Sequence, residues 1–236
     1  MDGSLFFKLS FYILLPFVLV AKEPDLGTAM VLVLLGYGTL FVIGVHKKIW
    51  ITLAIIIGIC SPLMYNSLHD YQKQRITDFI SEKPSYHVKQ SIIAIGSGGL
   101  TGKERSESTQ THYKFLPIAT SDFIFAYTVE RLGFWGALGL IVCYASLVTH
   151  LLSLNFLLKE DYFARVITSG ISLLIFFYMS INIAMTIGLA PVVGVPLPFY
   201  SYGGSSFITF FALFGILENL LAFRFDPTYR SIKYSL

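Results

Sequence analysis

Residues 133–158 read GFWGALGLIVCYASLVTHLLSLNFLL, an apolar run whose only ionisable groups are Cys143, Tyr144 and His150. A helix needs about 20 apolar residues to cross the hydrocarbon layer of a bilayer. This run meets that requirement, and nothing in it alternates as a barrel strand would. Working outward, apolar runs of comparable character cover 6–21, 28–45, 49–65, 166–189 and 207–223. Open strand edges cannot face lipid, so each run reads as a helix. The predicted fold is therefore all-α, a polytopic transmembrane helix bundle of about six spans forming one membrane domain over 1–236.

Composition agrees. Of 236 residues, 55% are hydrophobic and only 13% charged, against about 25% charged in ordinary soluble domains. Mean hydropathy is +0.69. These values exclude a disordered chain, a collagen and a soluble enzyme of ordinary composition. The 21 Phe and 14 Tyr suit a bundle whose rings pack between helices and sit at the interfaces. A net charge of +3 is too small a bias to indicate nucleic acid. Cys60 and Cys143 lie inside apolar runs, so they read as buried small hydrophobes rather than a disulfide. No CxxC or His/Cys cluster marks a structural metal site.

The short loops set the expected orientation. Lys8 lies at the start of the first run, His46, Lys47 and Lys48 separate the second and third, and Lys159 and Arg165 separate the fourth and fifth. Arg224, Arg230 and Lys233 follow the sixth. Six spans put all of these on one side, and basic short loops mark the cytoplasm. Both termini of the chain are then cytoplasmic. Residues 22–27, the long polar loop 66–121 between spans three and four, and the loop near 190–205 face outward. The first run is read as a retained span and not a signal peptide, because Leu19 and Ala21 make a poor small-x-small cleavage site. Within 66–121, the apolar spacing of Val88 to Ile95 predicts a short amphipathic helix on the bundle or the interface.

Several polar residues invite a chemical reading, each beside a plainer one. Asp25, at the outer start of the second run, reads as a helix N-cap from its spacing. Asp122, between a polar loop and an aromatic helix start, is either an N-cap shared with Ser121 or a partly desolvated carboxylate fit to act as a base. Glu130 and Arg131 interrupt the apolar helix that follows, where charges pair or line a cavity. Residues 96–103, GSGGLTGK, do not satisfy GxxxxGK[ST], since Glu104 follows Lys103. Their free backbone N–H groups beside Lys103 could still hold an anionic headgroup. Residues 194–206, GVPLPFYSYGGSS, carry two prolines and a Gly pair that forbid a continuous helix. They read as a re-entrant turn or as a backbone wall lining a cavity. His150, Asn155 and Glu218 read as interface or structural residues.

In serial order these stretches resemble the SEDS family of bacterial cell-wall proteins (RodA, FtsW, SpoVE). The resemblance rests on Pro24-Asp25-Leu26-Gly27-Thr28, His69-Asp70-Tyr71-Gln72 with Gln74-Arg75-Ile76, Tyr86-His87 with Gln90-Ser91, and Ile93 through Leu100. It continues through Thr109-Gln110, Phe115-Leu116-Pro117, Asp122-Phe123-Ile124-Phe125, Asn182-Ile183-Ala184-Met185, and Pro191 through Ser205. Gly102-Lys103 and Thr109-Gln110 look more like RodA than FtsW.

The resemblance implies a peptidoglycan glycosyltransferase in the bacterial cytoplasmic membrane. Such a protein passes glycan from the polyprenyl-pyrophosphate donor lipid II to an acceptor sugar hydroxyl during cell-wall elongation. It also implies a class B penicillin-binding transpeptidase and membrane lipids as partners. Asp122 matches the family's proposed catalytic Asp, and Asp25 its other outer acidic motif, which makes Asp25 a substrate-binding candidate facing the same cavity. The chemistry asks for a carboxylate base and for cations on the leaving pyrophosphate, from Lys or Arg or from a divalent metal. Arg75, Lys103 and Lys114 are the candidate cations; Gln90, Ser97, Gly98, Ser201 and Gly203 are further substrate-binding candidates. The same resemblance admits a lipid II flippase, or a non-catalytic scaffold for the transpeptidase. Ile118-Ala119-Thr120-Ser121 stands where the family has a Glu and a His, and Glu130-Arg131-Leu132-Gly133 where it has Glu-Glu-Leu-Gly. Family members carry about ten spans by hydropathy. This chain matches the last six, so four more are expected upstream.

Overall fold

The structure, a computed structural model, describes residues 3–23, 25–66, 70–80, 85–104, 120–158 and 161–222. Lys114, the Thr109-Gln110 and Phe115-Leu116-Pro117 motifs, Lys159 and the basic tail after Ala222 lie outside the described residues. Every regular element described is helical. In chain order they are α1 (Gly3–Lys22), α2 (Leu26–Ile43), α3 (Lys47–Asn66), α4 (Asp70–Ile80), α5 (Tyr86–Ser97), α6 (Ile124–Leu157), α7 (Tyr162–Thr186) and α8 (Gly204–Ala222).

Four stretches are long and apolar enough to cross a membrane: Leu5–Lys22, Ile124–Leu157, Tyr162–Thr186 and Gly204–Ala222. Gly27–Ile43 and Lys48–Ile59 are apolar but shorter. The chain is a multi-pass membrane protein whose outer rings and aliphatic side chains, such as Phe7, Ile59 and Phe156, point away from the bundle. Such exposure suits lipid, which solvates these groups as well as a protein core does. Cys143 belongs to this exposed set and is not buried as its apolar context predicts. Its position on α6 faces away from the partner helices. Cys60 falls within α3.

The centre is the pair α6–α7. Ile124, Tyr144, Val148 and Leu151 of α6 meet Ile171 and Ile175 of α7 and Leu217 of α8, with Leu197 from the connecting loop inserted among them. The helix α2 packs on α7, α1 on α2, and α5 on both α6 and α7. A second, smaller cluster joins Phe6 of α1, Leu40 and Val45 around α2, and the first turns of α3 through Ile49 and Trp50. The amphipathic helix expected over 88–95 is α5, and its buried residues Val88, Ser91 and Ala94 follow helical spacing. Ser91 Oγ donates to the Thr186 carbonyl at 2.7 Å, tying α5 to the end of α7. The polar helix α4 is not apparent as an apolar run, because most of its sequence DYQKQRITDFI is polar or charged.

The longest helix is broken where the sequence is charged. Its 34 residues would span about 51 Å at 1.5 Å per residue, well over the ~30 Å hydrocarbon thickness. Gly133, with φ 66° and ψ −164°, divides it into a short entry segment and the spanning part. The break lies just after Glu130-Arg131, where the sequence analysis placed the interruption.

Candidate active site

Helices α2 and α8 begin, α7 ends and α6 begins at one end of the bundle, and the Pro/Gly loop between α7 and α8 runs among them. This loop cannot be helical, and its backbone groups must find partners elsewhere. It finds them in residues 120–122. The Tyr202 N–H donates to the Thr120 carbonyl at 2.9 Å. Ser201 Oγ donates to the Ser121 carbonyl at 2.7 Å. Asn182 Nδ2, from α7, donates to the Asp122 carbonyl at 2.9 Å. Three successive carbonyls are thus held by three donors that lie 60 to 82 positions further along the chain.

The donors are themselves fixed. Ser201 Oγ accepts the Leu197 N–H at 2.7 Å, and Asn182 Nδ2 also donates to the Val195 carbonyl at 2.7 Å. Ser201 is 8% exposed and Asn182 wholly buried. Between them, Phe199 takes a φ of +62°, a region that costs a non-glycine residue about 1 kcal/mol or more. Its ring is locked against Phe210, Phe211 and Phe214 at centroid distances of 5.5, 5.4 and 5.1 Å. Tyr144 Oη donates to the Pro198 carbonyl, and the Thr128 and Tyr200 hydroxyls share a hydrogen bond at 3.1 Å.

The Asp122 carboxylate stands clear of this network. The N-cap of α6 is Phe123, with no side chain capping it, so the capping role open to Asp122 from sequence is not the one the structure uses. Ser121 Oγ donates to Oδ1 at 3.1 Å. Oδ2 faces Gly194, where a Cβ would sit 3.5 Å away and where φ is +71°. The side chain is half-buried, polar on one side and open on the other.

Asp25 differs. Oδ1 accepts the Thr28 N–H at 3.0 Å and Oδ2 the Thr28 hydroxyl at 2.6 Å, an N-cap of α2 as its spacing predicts. The next turn presses on the same loop, for a Cβ on Gly27 would lie 2.6 Å from the Val193 carbonyl oxygen. Gly27, two residues after Asp25, and Asp122 therefore meet residues 193 and 194 of the same loop.

The glycine-rich segment takes a structural part. Gly98 and Gly102 N–H groups donate to the carbonyls of Ile95 and Gly98, and the Lys103 N–H donates to the Glu130 carbonyl at 2.9 Å. In return, the Phe134 and Trp135 N–H groups, freed by the break at Gly133, donate to Gly99 and Leu100. A Cβ on Gly102 (φ +82°) would come within 2.2 Å of the Arg131 carbonyl. Of the N–H groups read from the sequence as available to an anion, those of Gly98 and Gly102 thus close the segment on itself and that of Lys103 ties it to the break in α6. Ser97 Oγ turns back to the Ala94 carbonyl at 3.0 Å. Gln90 and Lys103 are half-buried, on α5 and just after the loop. Arg75 lies on α4. Glu130 is fully buried beside the loop. Asn155 accepts from Ser169 Oγ at 3.2 Å, bridging α6 and α7, while His150 and Glu218 are exposed on their helices.

Beside the Asp122 segment opens a groove of about 740 Å³, lined by Thr120, Ile124, Phe199, Tyr202, Gly203 and Phe207 among others. Its wall is mostly apolar and aromatic. Gly203 sits at its edge and accepts from the Phe207 N–H and the Ser206 hydroxyl at the first turn of α8. Among the described residues, no three His, Cys, Asp or Glu side chains gather as a metal site. Asn182 belongs to the resemblance but carries no role in it. An amide inside an otherwise apolar helix was the available signal, since such groups are expensive in a membrane unless used.

An all-helical, multi-pass membrane protein with an Asp-bearing turn held beside an apolar groove is the class these features define. The chain belongs to the FtsW/RodA/SpoVE family of cell cycle proteins, whose model matches residues 2–225. It is 59% identical over 230 residues to the peptidoglycan glycosyltransferase MrdB of Helicobacter pylori, covering 98% of this chain and 60% of that protein. It is 40% identical over 214 residues to MrdB of Escherichia coli K12, covering 88% and 58%. Its fold matches a chain of a peptidoglycan synthase complex solved to show the structural coordination of polymerization and crosslinking. That match has a TM-score of 0.77 and 24% identity, and covers 92% of this chain and 62% of the other. The chain spans about three-fifths of the length of the curated relatives it matches.

Proposed function

We propose that this chain is the catalytic portion of a RodA-like peptidoglycan polymerase that acts on lipid II during cell-wall elongation. The observation that carries the reading is the Asp122 carboxylate. It caps no helix, is half-buried, and belongs to a turn whose neighbours Thr120 and Ile124 line an apolar groove. The Helicobacter and Escherichia relatives are named peptidoglycan glycosyltransferases, which supports the same activity here.

In this reading, Asp122 takes the proton from the acceptor sugar hydroxyl, which is a poor nucleophile while protonated. The hydroxyl oxygen then bonds to the anomeric carbon of the donor. The bond from that carbon to the phosphate oxygen breaks, and polyprenyl pyrophosphate leaves with the electron pair. Lys103, Arg75 and Lys114 are the cations proposed to balance its charge. The described residues offer no ligand set for a resident divalent cation. Gln90 and Gly203 remain proposed substrate contacts, as does Ser97 on the α5 side, whereas Gly98 is buried against the Val129 carbonyl. The groove between Ile124, Phe199 and Phe207 takes the apolar part of the lipid-linked donor.

The same reading makes 1–236 one domain of six spans, with α2 and α3 as spans beside the four long helices. The loop 66–121 and the Asp122 end then face outward from the bacterial cytoplasmic membrane, both chain termini face the cytoplasm, and a class B penicillin-binding transpeptidase is the partner. The test is glycan polymerisation by the purified protein, at the full length its gene encodes, with fluorescent lipid II and that partner. Polymer lost in Asp122→Ala supports the proposal, and normal polymer in that variant refutes it. Movement of labelled lipid II across vesicles with no polymer would favour a flippase.

A further inference from the structure

We infer that Asn182 and Ser201 are positioning residues for Asp122, setting the direction of its carboxylate through the main chain; this rests on the catalytic reading of Asp122. A peptide unit is planar, so holding a carbonyl oxygen holds the whole plane. The Ser121 carbonyl belongs to the plane before the Asp122 Cα, and the Asp122 carbonyl to the plane after it. Ser201 fixes the first and Asn182 the second. With both planes fixed, φ and ψ of Asp122 are fixed, and so is its Cα–Cβ direction. The Tyr202 N–H on the Thr120 carbonyl does the same for Ser121. That aims the Ser121 hydroxyl, whose bond to Oδ1 selects the carboxylate's rotamer.

None of these donors touches the carboxylate, which stays free for a substrate. The orientation of Asn182 also follows. Its Nδ2 meets two carbonyl oxygens, while its buried Oδ1 meets no hydrogen-bond donor. A flipped amide would set oxygen against oxygen. Buried amides in membrane helices are costly unless they bridge segments, and this one bridges α7, the loop and the Asp122 turn.

The test separates hydrogen bonding from packing. Leu has the branching of Asn with methyl groups in place of the amide, so Asn182→Leu keeps the site filled, with a somewhat bulkier side chain, and loses both bonds. Displacement of a catalytic group by an ångström can cost about 100-fold in rate. In the full-length protein with its partner, Asn182→Leu is expected to lower kcat for polymerisation about 30- to 100-fold, with KM for lipid II within about threefold. Ser201→Ala is expected to lower kcat about tenfold, and Ser201→Thr, which keeps the hydroxyl, to restore it to within about threefold. A packing role predicts normal kcat in Asn182→Leu. Wild-type kcat in both Asn182→Leu and Ser201→Ala, a loss confined to KM, or equal loss in Ser201→Ala and Ser201→Thr would each overturn the inference. Should Asn182→Leu fail to fold, the Ser201 pair decides. Asp122→Ala at the wild-type rate would instead bring down the catalytic reading itself. An inactive Asp122→Ala with full kcat in the other variants would bring down only the positioning.

Discussion

The starts of α2 and α6 are two versions of one local pattern, an Asp entering an apolar helix, and they are held in opposite ways. At α2, Asp25 caps its own helix, with both carboxylate oxygens bonded to Thr28 three residues on. At α6, Asp122 caps nothing, and the turn is held by its main-chain carbonyls from Asn182, Ser201 and Tyr202. Local self-capping consumes a carboxylate. Long-range suspension of the backbone leaves one available. The difference separates a carboxylate that stabilises a helix from one left without a cap, although both helix starts meet the same loop, Gly27 at Val193 and Asp122 at Gly194.

The sharpest way to break this contrast is to remove each carboxylate. Asp122→Ala is expected to reduce glycan polymerisation about 1000-fold, within the range a positioned general base supplies. Labelled polymer resolved on gels measures this, and an equal loss in Asp25→Ala would erase the distinction. Next in size is Gly102→Ala, whose Cβ would collide with the Arg131 carbonyl at 2.2 Å. Overpacking of this kind together with a positive φ should cost about 3 kcal/mol. It should lower the melting temperature in detergent, because the loop carries hydrogen bonds to the break in α6. A melting point unchanged by Gly102→Ala would show that the entry of α6 does not depend on that loop.

Smaller effects sharpen the other side. Asp25→Ala should cost about 1 kcal/mol of stability, as lost N-caps do, with polymerisation per folded molecule changed far less than in Asp122→Ala. Thermal unfolding and the same polymer assay together decide it. Thr28→Val removes only the side-chain donor to Asp25 and leaves the backbone bond. About 0.5 kcal/mol is expected, the low end for a hydrogen bond that water can replace. A loss in Thr28→Val equal to that in Asp25→Ala would mean that the hydroxyl, not the N–H, is the main partner.

Much of the architecture is visible in the residues themselves. Long apolar runs can satisfy their backbone in lipid only as helices, and the break near Glu130-Arg131 announces itself by charge. The helix α5 is legible from the apolar spacing of Val88 to Ile95, although the face it buries, Val88, Ser91 and Ala94, includes a serine and leaves Ile92 and Ile93 exposed. The helix α4 is not, since a polar helix leaves no hydropathy signal. Cys143 was misjudged because an apolar run does not say which of its faces meets lipid, and in a bilayer both faces can be equally apolar. The glycines at 98–102 were ambiguous for a related reason. A missing side chain permits close approach, and whether a phosphate or another backbone approaches depends on what lies opposite. Here it is the carbonyls of Val129 and Arg131.

The sequence alone determined the number and character of the apolar runs, the cap at Asp25 and, through its motifs, the family resemblance. Those properties are local, or they are patterns that can be compared residue by residue. Only the tertiary structure decided that Asp122 does not cap its helix. Its freedom depends on hydrogen bonds from residues 60 to 82 positions away. Whether a carboxylate caps its own helix or stays open is settled by which distant donors reach the backbone beside it.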